Sequence, residues 1–440
     1  MADSSTRREF LSTSAGIATG AVALGAWAGS PVLAASKEKI GIGVIGCGGM
    51  ASGHVRFLVN QRLPVSFAHL CDPDPRQMEN CAKPVAEFQQ HQPQRVADFR
   101  RVLDDKNVDA VIIATPHHWH IPIALGALQA GKDVYVEKPA SHVFQEGRLL
   151  VDAAHKYERV VQHGTQMRSS GVTAQAGQVL ESGILGEIKI TKAYNCQDRG
   201  FAKPVADSEP AQGVDYDRWL GPAPKRPFNE NRFHRTWRLF RDYGNGDFGD
   251  DGAHDLDMAR WALGVETHPV RITAHGSNIK QPGYREFPDN MIATFEYPDG
   301  RVLTYEDRLF TPYGMNGVDS SNVFYGTKGY MVFSRRGFFR TYLGRREQPG
   351  PASGKSGRVG APVPSHMENF LSCVRTRQQT VADAETAHLT CALIHLGEIA
   401  YRTKTVLEFN PTTETITNSK TAHAMLTKEY RAPYGLPKTI

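Results

Sequence analysis

The stretch GVIGCGGMASGH, residues 43–54, opens a glycine-rich turn directly after an apolar run. Its spacing is G-x-G-x-x-A. Gly46 permits the tight turn, Gly48 lets the backbone approach a pyrophosphate, and Ala51 keeps the following helix close to the sheet. A tight turn without a ligand can have the same glycines, so the neighbouring segments must decide what this turn does.

Those segments have the order strand, glycine turn, helix, strand and acid. Residues 40–45 are typical of a buried parallel strand, and residues 51–62 predict a helix whose N-terminus offers free N–H groups to phosphates. A second apolar strand ends at Asp72, whose carboxylate can accept hydrogen bonds from both ribose hydroxyls and would repel a 2′-phosphate. This order predicts a dinucleotide-binding domain that prefers NAD to NADP. The cofactor residues predicted at this point are Gly46, Gly48, Gly49, Met50 and Asp72.

Two polar motifs follow later strands of the same predicted sheet. Residues 108–114 predict a strand that leads into TPHHWH, residues 115–120, and DVYV leads into Glu137-Lys138-Pro139. Ligands of open α/β sheets bind at the carboxyl ends of the strands, where both motifs fall. The histidines lack a helical i, i+4 pair and a nearby cysteine or carboxylate, so we predict contact with the nicotinamide ribose and no metal site. The cofactor contacts predicted here are Thr115, His117, His120, Glu137 and Lys138.

The N-terminal segment, residues 4–36, reads SSTRREFLSTSAGIATGAVALGAWAGSPVLAAS. Arg7-Arg8 precedes a weakly apolar Ala/Gly stretch and a small-residue cleavage pattern, which resembles a twin-arginine export signal. A frayed N-terminal helix is the alternative. We predict that residues 1–34 are removed, that the mature protein is periplasmic, and that it is not inserted in a membrane. Because this route carries folded cargo, a cofactor can be bound before export.

Composition limits the classes of protein to consider. At 440 residues the chain suits two domains, and 40% hydrophobic with 22% charged residues is ordinary for a globular protein. The net charge of +5 is modest, and no Lys/Arg block is present, so we do not expect a nucleic acid partner. The six cysteines form no C-x-x-C pair, so we expect no disulfide on which the fold depends.

Several stretches beyond the glycine turn resemble the Gfo/Idh/MocA oxidoreductases. They are VEKPAS (136–141), SGILGEI (182–188), the segment 219–264, FYGTKGYMVF (324–333) and the segment 366–402. The resemblance covers the whole mature chain and is strongest to the branch exported with twin-arginine signals. It implies an α/β fold with an N-terminal Rossmann doubly wound parallel sheet (36–163) and a C-terminal α/β domain with an open, mostly antiparallel sheet (164–403). We expect an irregular tail over 404–440 and a homodimer or homotetramer.

The resemblance also implies catalytic positions. Lys138 occupies the place of the family's Glu-Lys-Pro lysine, where it orients a substrate hydroxyl and shares its proton. Asp250 and His254 match the pattern D-x-G-x-H-x-x-D; four residues apart, they are expected on one face of a helix. A neutral histidine with a pKa of about 6.5 suits the role of base. Relatives in this branch often have Asn-Gln where this chain has Asp250-Asp251, so the chain departs from the pattern of the branch at Asp250.

The remaining site residues come from two loops. Gln166 in HGTQMRSS matches a family amide that reaches the cofactor, and Arg168 follows it. In RFHRTWRLFRDYG, Trp237 can stack on a sugar face, Arg238 can donate to hydroxyls, and Tyr243 can act as an auxiliary acid or base. The alternative is that these loop residues belong to an interface or to the core. The predicted substrate residues are Arg168, Trp237, Arg238, Tyr243, Asp250 and His254.

These features predict an NAD(P)-dependent oxidoreductase that acts on a secondary hydroxyl of a sugar, glycoside or cyclic polyol. Export leaves no external pool of NAD, so a tightly bound cofactor would alternate between two substrates, pass electrons to an acceptor, or be recycled within one turnover. The last scheme describes an NAD-dependent glycosidase that works by oxidation, elimination, water addition and re-reduction, with Tyr243 as the candidate for C–H abstraction. A non-catalytic sugar or nucleotide sensor is a third possibility, and the lysine–histidine pair argues against it.

Overall fold

The computed structural model describes residues 38–198, 203–234, 236–280, 285–311, 313–353 and 364–440. The predicted export signal, 1–34, lies outside the described residues. The described chain forms two domains, each built on one sheet. None of the described helices has the length and apolar character needed to cross a bilayer.

The N-terminal domain contains a parallel sheet of six strands. Its strands are β1 (Ile40–Ile45), β2 (Val65–Cys71), β3 (Gln94–Val96), β4 (Ala110–Ile113), β5 (Asp133–Val136) and β6 (Val161–His163). Its helices are α1 (Gly49–Asn60), α2 (Pro75–Phe88), α3 (Arg100–Leu103), α4 (His120–Gln129) and α5 (Phe144–Lys156). The strand order is β3-β2-β1-β4-β5-β6, which is the doubly wound order of dinucleotide-binding domains. All six residues of β1 are buried because helices cover both faces of the sheet.

The C-terminal domain contains a ten-stranded, mostly antiparallel sheet. Its strands are β7 (Ile188–Asn195), β8 (Arg271–Ser277), β9 (Asn290–Glu296), β10 (Val302–Arg308), β11 (Ser320–Gly326), β12 (Gly329–Ser334), β13 (Phe338–Leu343), β14 (Gln348–Ala352), β15 (Leu407–Asn410) and β16 (Thr415–Ile416). Their order is β14-β13-β12-β11-β7-β10-β9-β8-β15-β16, and only β7 and β10 pair in parallel among these described strands. The predicted fold class is therefore confirmed.

Seven further helices follow β6 among the described residues. They are α6 (Gly171–Glu181), α7 (Tyr216–Leu220), α8 (Gly246–Asp250), α9 (Gly252–Leu263), α10 (His366–Thr376), α11 (Ala384–Thr403) and α12 (Lys420–Ala424), with 3-10 turns at His117–Trp119, Gln166–Ser169, Glu230–Arg232 and Trp237–Leu239. α10 packs against the core of the N-terminal domain and α7 lies in an aromatic cluster, whereas the other five contribute to the core of the large sheet. Leu256 of α9 and Leu393 of α11 are fully buried in one cluster with Phe295 and Leu303 of the sheet. This packing fixes α9, which carries His254, against the sheet.

The segment from residue 404 is more regular than expected. Leu407 and Phe409 are buried while their neighbours in β15 are exposed, so this short stretch alternates as a strand with one buried face does. β15 pairs with β8 and extends the large sheet. The last residues then return over the N-terminal domain, where Tyr434, Leu436 and Ile440 pack against its core.

Candidate functional site

The glycine turn between β1 and α1 forms an open cradle. Gly46 has φ of +82°, and a Cβ there would lie 2.7 Å from the backbone carbon of Ala114 and 2.8 Å from the nitrogen of Thr115. Any side chain at this position would therefore collide with the end of β4. A Cβ at Gly48 or Gly49 would meet nothing within 4 Å. This open side faces the N-terminus of α1, where free N–H groups can bind phosphate oxygens.

Asp72 follows β2, where it accepts hydrogen bonds from the backbone and can also bind a ribose. Its Oδ2 accepts a hydrogen bond from the Cys47 N–H at 2.8 Å, and its Oδ1 accepts one from the Asp74 N–H at 2.9 Å. Burial raises the pKa of Asp72 to about 6, although both backbone bonds act to lower it. Each oxygen keeps a lone pair for a ribose hydroxyl. Asp72 thus shapes the glycine turn as well, a role that the sequence did not reveal.

The TPHHWH motif lies at the end of β4 as predicted, but its histidines have different surroundings. The two ring nitrogens of His120 lie 2.8 Å from the carbonyl oxygens of Pro139 and Thr115. His118 contacts the carbonyl oxygen of Trp219 at 3.1 Å. These two rings tie the motif to neighbouring backbone. The His117 ring has its Nδ1 3.0 Å from Oδ1 of Asn245 and packs edge-on against Trp237, with ring centroids 4.6 Å apart.

Glu137 lies at the end of β5 in a buried polar group. Its Oε1 is 2.7 Å from Nε2 of His54 and accepts a hydrogen bond from the Gln166 amide at 3.0 Å. Burial would raise the pKa of Glu137, but His54 and the ammonium of Lys138 lower it to about 2, so the carboxylate is ionised at neutral pH. The predicted cofactor residue Gln166 therefore contacts Glu137. His54, the last residue of the glycine-rich stretch 43–54, contacts Glu137 as well, and the sequence did not indicate this second contact.

Lys138, Asp250 and Arg238 form the charged centre of the site. Nζ of Lys138 donates to Oδ1 of Asp250 at 2.5 Å and to its backbone oxygen at 3.0 Å. Nε of Arg238 lies 2.9 Å from Oδ2 of Asp250, and its guanidinium carbon lies 4.4 Å from the Trp237 ring centroid. Burial would raise the pKa of Asp250, but the two cations outweigh burial and hold it well below its ordinary value. Residues from both domains therefore meet around one ionised carboxylate.

His254 lies beside this centre, one helix further along the chain. Asp250 ends α8 and His254 lies in α9, so the single helix expected to carry both is interrupted at Asp251. Burial, helped by Lys138 and Arg335, holds the pKa of His254 well below its ordinary value, so the ring is neutral at pH 7. Its buried Nδ1 has no hydrogen-bond partner in the described part of the chain. His254 lines a cleft with Gln166, Met167, Arg335 and Arg336.

Two predicted substrate residues are engaged elsewhere. Arg168 donates from Nε and Nη2 to the buried Asp257 at 2.7 and 2.9 Å, which ties the loop after β6 to α9. Tyr243 is fully buried in an aromatic cluster, with its ring centroid 4.9 Å from that of Trp219, and burial raises its pKa. Contact of either side chain with substrate stays a prediction.

One group of side chains has the composition of a metal site, away from the charged centre. Nε2 of His268 and Nε2 of His388 each lie 2.9 Å from Oε1 of Glu414. Nη2 of Arg148 donates to the same oxygen at 2.7 Å. The guanidinium already supplies positive charge to this carboxylate, so the group is explained as an ion-paired junction between α5, α11 and the β15–β16 turn.

The geometry so far is that of a dinucleotide fold facing a lysine–histidine site. A family model described as an oxidoreductase family with an NAD-binding Rossmann fold matches residues 40–165. A second, described as the C-terminal alpha/beta domain of an oxidoreductase family, matches residues 178–307 and 357–436. The chain belongs to the Gfo/Idh/MocA oxidoreductase family. The predicted family and the predicted cofactor, NAD, are thereby confirmed; membership of the exported branch stays a prediction.

Within the Gfo/Idh/MocA family, the curated relatives include polyol and sugar dehydrogenases. Inositol 2-dehydrogenase 2 of Saccharopolyspora erythraea is 26% identical over 62% of this chain and 68% of its own length. Levoglucosan dehydrogenase of Pseudarthrobacter phenanthrenivorans is 26% identical over 56% of this chain and 65% of its own length. The chain thus spans about two thirds of the length of these relatives.

Solved structures of the family share the fold over most of the chain. Levoglucosan dehydrogenase in complex with NADH and levoglucosan superposes with a TM-score of 0.62 at 20% identity, over 84% of this chain and 99% of that one. Aldose-aldose oxidoreductase from Caulobacter crescentus gives a TM-score of 0.64 at 20% identity, over 84% of this chain and the whole of the other. At this identity the likeness establishes the fold.

Proposed function

We propose that this protein is an NAD-dependent dehydrogenase that oxidises a secondary hydroxyl of a sugar, glycoside or cyclic polyol. One observation carries the proposal. The ammonium of Lys138, at the carboxyl end of β5, is held 2.5 Å from the ionised Asp250, and the neutral His254 nearby has a buried Nδ1 without a hydrogen-bond partner among the described residues. A charged donor and a neutral base side by side are what removal of a hydroxyl proton requires.

Lys138, His254 and Asp250 have separate roles in the proposed oxidation. Lys138 donates a hydrogen bond to the substrate hydroxyl oxygen and stabilises the negative charge that develops on it. A ring nitrogen of His254 accepts the hydroxyl proton. Asp250 holds the Lys138 side chain in place. NAD bound at the glycine turn would supply the hydride acceptor that oxidation of the alcohol to a ketone requires. Gly46, Gly48, Asp72 and Glu137 would hold the cofactor.

The walls of the site support a polyhydroxylated substrate. The Arg238 guanidinium lies over the Trp237 ring, and its donors suit the hydroxyls of a ring sugar. The Trp237 ring itself is buried in an aromatic cluster, so its stacking on a sugar face stays a prediction. Arg238 is 31% exposed, so part of its donor fork is open to the site. The relatives act on inositol and levoglucosan by name, and this chemistry is compatible with both.

A second candidate is an NAD-dependent glycosidase. One curated relative, a glycosyl hydrolase family 109 protein of Shewanella pealeana, is 28% identical over 28% of this chain and 27% of its own length. The candidate base for C–H abstraction, Tyr243, is buried in the aromatic cluster with a raised pKa, which disfavours its deprotonation. The dehydrogenase is therefore the better supported of the two.

Substrate screening separates the two candidates. Purified protein is incubated with NAD and a panel of cyclic polyols, anhydrosugars and methyl glycosides, and absorbance at 340 nm is followed. The same protein is incubated with nitrophenyl glycosides in D2O, and nitrophenolate and deuterium at C2 are followed. Net NADH formation supports the dehydrogenase. Nitrophenolate release with deuterium uptake and no net NADH would establish the glycosidase instead.

We also propose that the protein is exported through the twin-arginine route with NAD tightly bound. Arg7-Arg8 and the following Ala/Gly stretch support this. Replacement of both arginines by lysine is expected to retain the protein in the cytoplasm. Protein purified from the periplasm without added NAD is expected to release about one equivalent of NAD on denaturation. Cofactor-free periplasmic protein would contradict tight binding.

The open face of the large sheet supports the proposal of a homodimer or homotetramer. Ile190, Tyr325, Tyr330 and Tyr342 are cross-strand neighbours on β7, β11, β12 and β13. Ile190 and Tyr325 are both more than 40% exposed, and such a patch is typical of an association surface. Light scattering after gel filtration is expected to give at least a dimer, and Tyr325→Lys is expected to shift it toward monomer.

A further inference from the structure

The C-terminal segment reaches the site through a buried ion-pair group. Nζ of Lys428 lies 3.0 Å from Oε1 of Glu146 in α5 and 2.5 Å from Nδ1 of His142. Tyr430 donates to the same Oε1 at 2.8 Å. The other oxygen of Glu146 accepts from the His142 N–H at 2.6 Å. Glu146 is fully buried, and Lys428, Tyr430 and the His142 N–H are the donors to its carboxylate among the described residues.

Lys428 determines which nitrogen of His142 carries the proton. Burial lowers the pKa of Lys428, but the adjacent Glu146 carboxylate favours the ammonium form. An ammonium can only donate, so Nδ1 of His142 accepts from Lys428. Nε2 of His142 lies 3.2 Å from the carbonyl oxygen of Gly244, which can only accept. His142 is therefore neutral with its proton on Nε2, and burial together with Lys428 holds its pKa well below the ordinary value.

The main chain of His142, which Glu146 holds through its N–H, orients Asn245. The Asn245 Nδ2 donates to the backbone oxygen of His142 at 3.0 Å, so the amide oxygen points the other way, toward Nδ1 of His117. Because Oδ1 only accepts, Nδ1 of His117 must carry the proton. Burial lowers the pKa of His117 well below its ordinary value, so the ring is neutral and Nε2 keeps a free lone pair. That Nε2 has no protein partner in the described part of the chain.

We propose that Lys428 is a positioning residue of the active site. Its ion pair fixes Glu146, which holds the His142 main chain, and the His142 carbonyl orients Asn245 so that His117 stays in the Nδ1–H form with Nε2 as a hydroxyl acceptor. His117 packs against the Trp237 ring, over which the Arg238 guanidinium lies, so the His117 ring is close to the charged centre. The hydroxyl belongs to the nicotinamide ribose or to the substrate. The tautomer assignment rests on these hydrogen bonds and on the burial of both rings; only the hydroxyl partner rests on the proposed dehydrogenase function.

Nitrogen NMR of the intact protein labelled with ¹⁵N-histidine tests the assignment without any turnover. Long-range ¹H–¹⁵N spectra at pH 7, assigned with His117→Gln and His142→Gln, report which nitrogen of each ring is protonated. We expect the Nδ1–H form for His117 and the Nε2–H form for His142. An Nε2–H or doubly protonated His117 would overturn the proposal, whether or not a substrate is known.

Lys428→Met tests the influence of the tail, with Tyr430→Phe as the matched control because it contacts the same Glu146 oxygen without touching His142. We expect Lys428→Met to change the His142 tautomer signal and to lower the steady-state rate at least tenfold, and Tyr430→Phe to change neither. A raised dissociation constant for NAD assigns the hydroxyl to the ribose; a lowered kcat with unchanged NAD affinity assigns it to the substrate. Unchanged His142 signals and rate in folded Lys428→Met, or equal losses in both variants, would overturn the proposal.

Discussion

Replacement of Lys138 by methionine tests the charged centre most sharply. Methionine has about the length of the lysine side chain but no charge. The change removes two donors from Asp250, one at 2.5 Å to Oδ1 and one at 3.0 Å to the backbone oxygen. Breaking a buried ion pair usually costs about 3–5 kcal/mol of folding free energy. Arg238 remains 2.9 Å from Oδ2, so Asp250 keeps a partner and we expect a loss of about 1–3 kcal/mol.

The effect on the rate is expected to exceed the effect on stability. Loss of a group that orients the hydroxyl and stabilises its developing charge lowers kcat by about 10²–10⁴-fold, equivalent to about 2.7–5.4 kcal/mol of barrier. The assay is NADH formation at 340 nm with the substrate found by screening, together with NAD affinity and urea unfolding. Lys132→Met is the matched control, because this buried ammonium donates to two backbone oxygens in the N-terminal domain. A Lys138→Met enzyme that keeps kcat within about threefold of wild type would refute the reasoning.

Three further predictions concern the cofactor turn and the base. Gly46→Ala is expected to destabilise the fold because its Cβ meets fixed backbone, whereas Gly48→Ala is expected to fold normally and bind NAD at least about tenfold more weakly, as urea unfolding and fluorescence titration will show. Because the pKa of Asp72 is raised to about 6, its carboxylate is progressively protonated below that pH, and the dissociation constant for NAD is expected to rise as pH falls from 7 to 5; a flat profile would contradict this. The pKa of His254 is held well below its ordinary value, so the ring stays neutral as the pH falls through 6.5. We therefore expect kcat/KM to stay level over that range. Arg335→Gln removes one of the charges that lower the pKa of His254, so the acid limb of the pH profile of kcat/KM is expected to move to higher pH. An acid limb that does not move would mean that a group other than His254 limits the rate.

The sequence was informative where local spacing determines both structure and chemistry. The apolar run 40–45, the glycines after it and Asp72 lie in order along the chain, so the cofactor domain could be predicted from them alone. The glycine pattern works because backbone conformation and the space for a Cβ are local constraints. The helical periodicity after residue 252 likewise predicted α9, although not the break at Asp251 that separates Asp250 from His254.

Partners that lie far apart in sequence could not be predicted. His54 meets Glu137 across 83 residues, and Asn245 meets His117 across 128. Neither residue type has a spacing signature, because each contact depends on how two separate elements pack. Lys428 was assigned to a tail without a function, yet its amine lies beside Glu146 in a buried group. Long-range polar contacts of this kind are specified by tertiary packing.

Transfer of deuterium from substrate to cofactor tests the central claim most directly. The substrate identified by screening is prepared with deuterium at the carbinol carbon and incubated with the protein and NAD, and the cofactor is examined by mass spectrometry and NMR. We predict one deuterium at C4 of the nicotinamide and a ketone as product, both lost in Lys138→Met. Release of an aglycone with solvent hydrogen at C2 and no net labelled NADH would contradict the account.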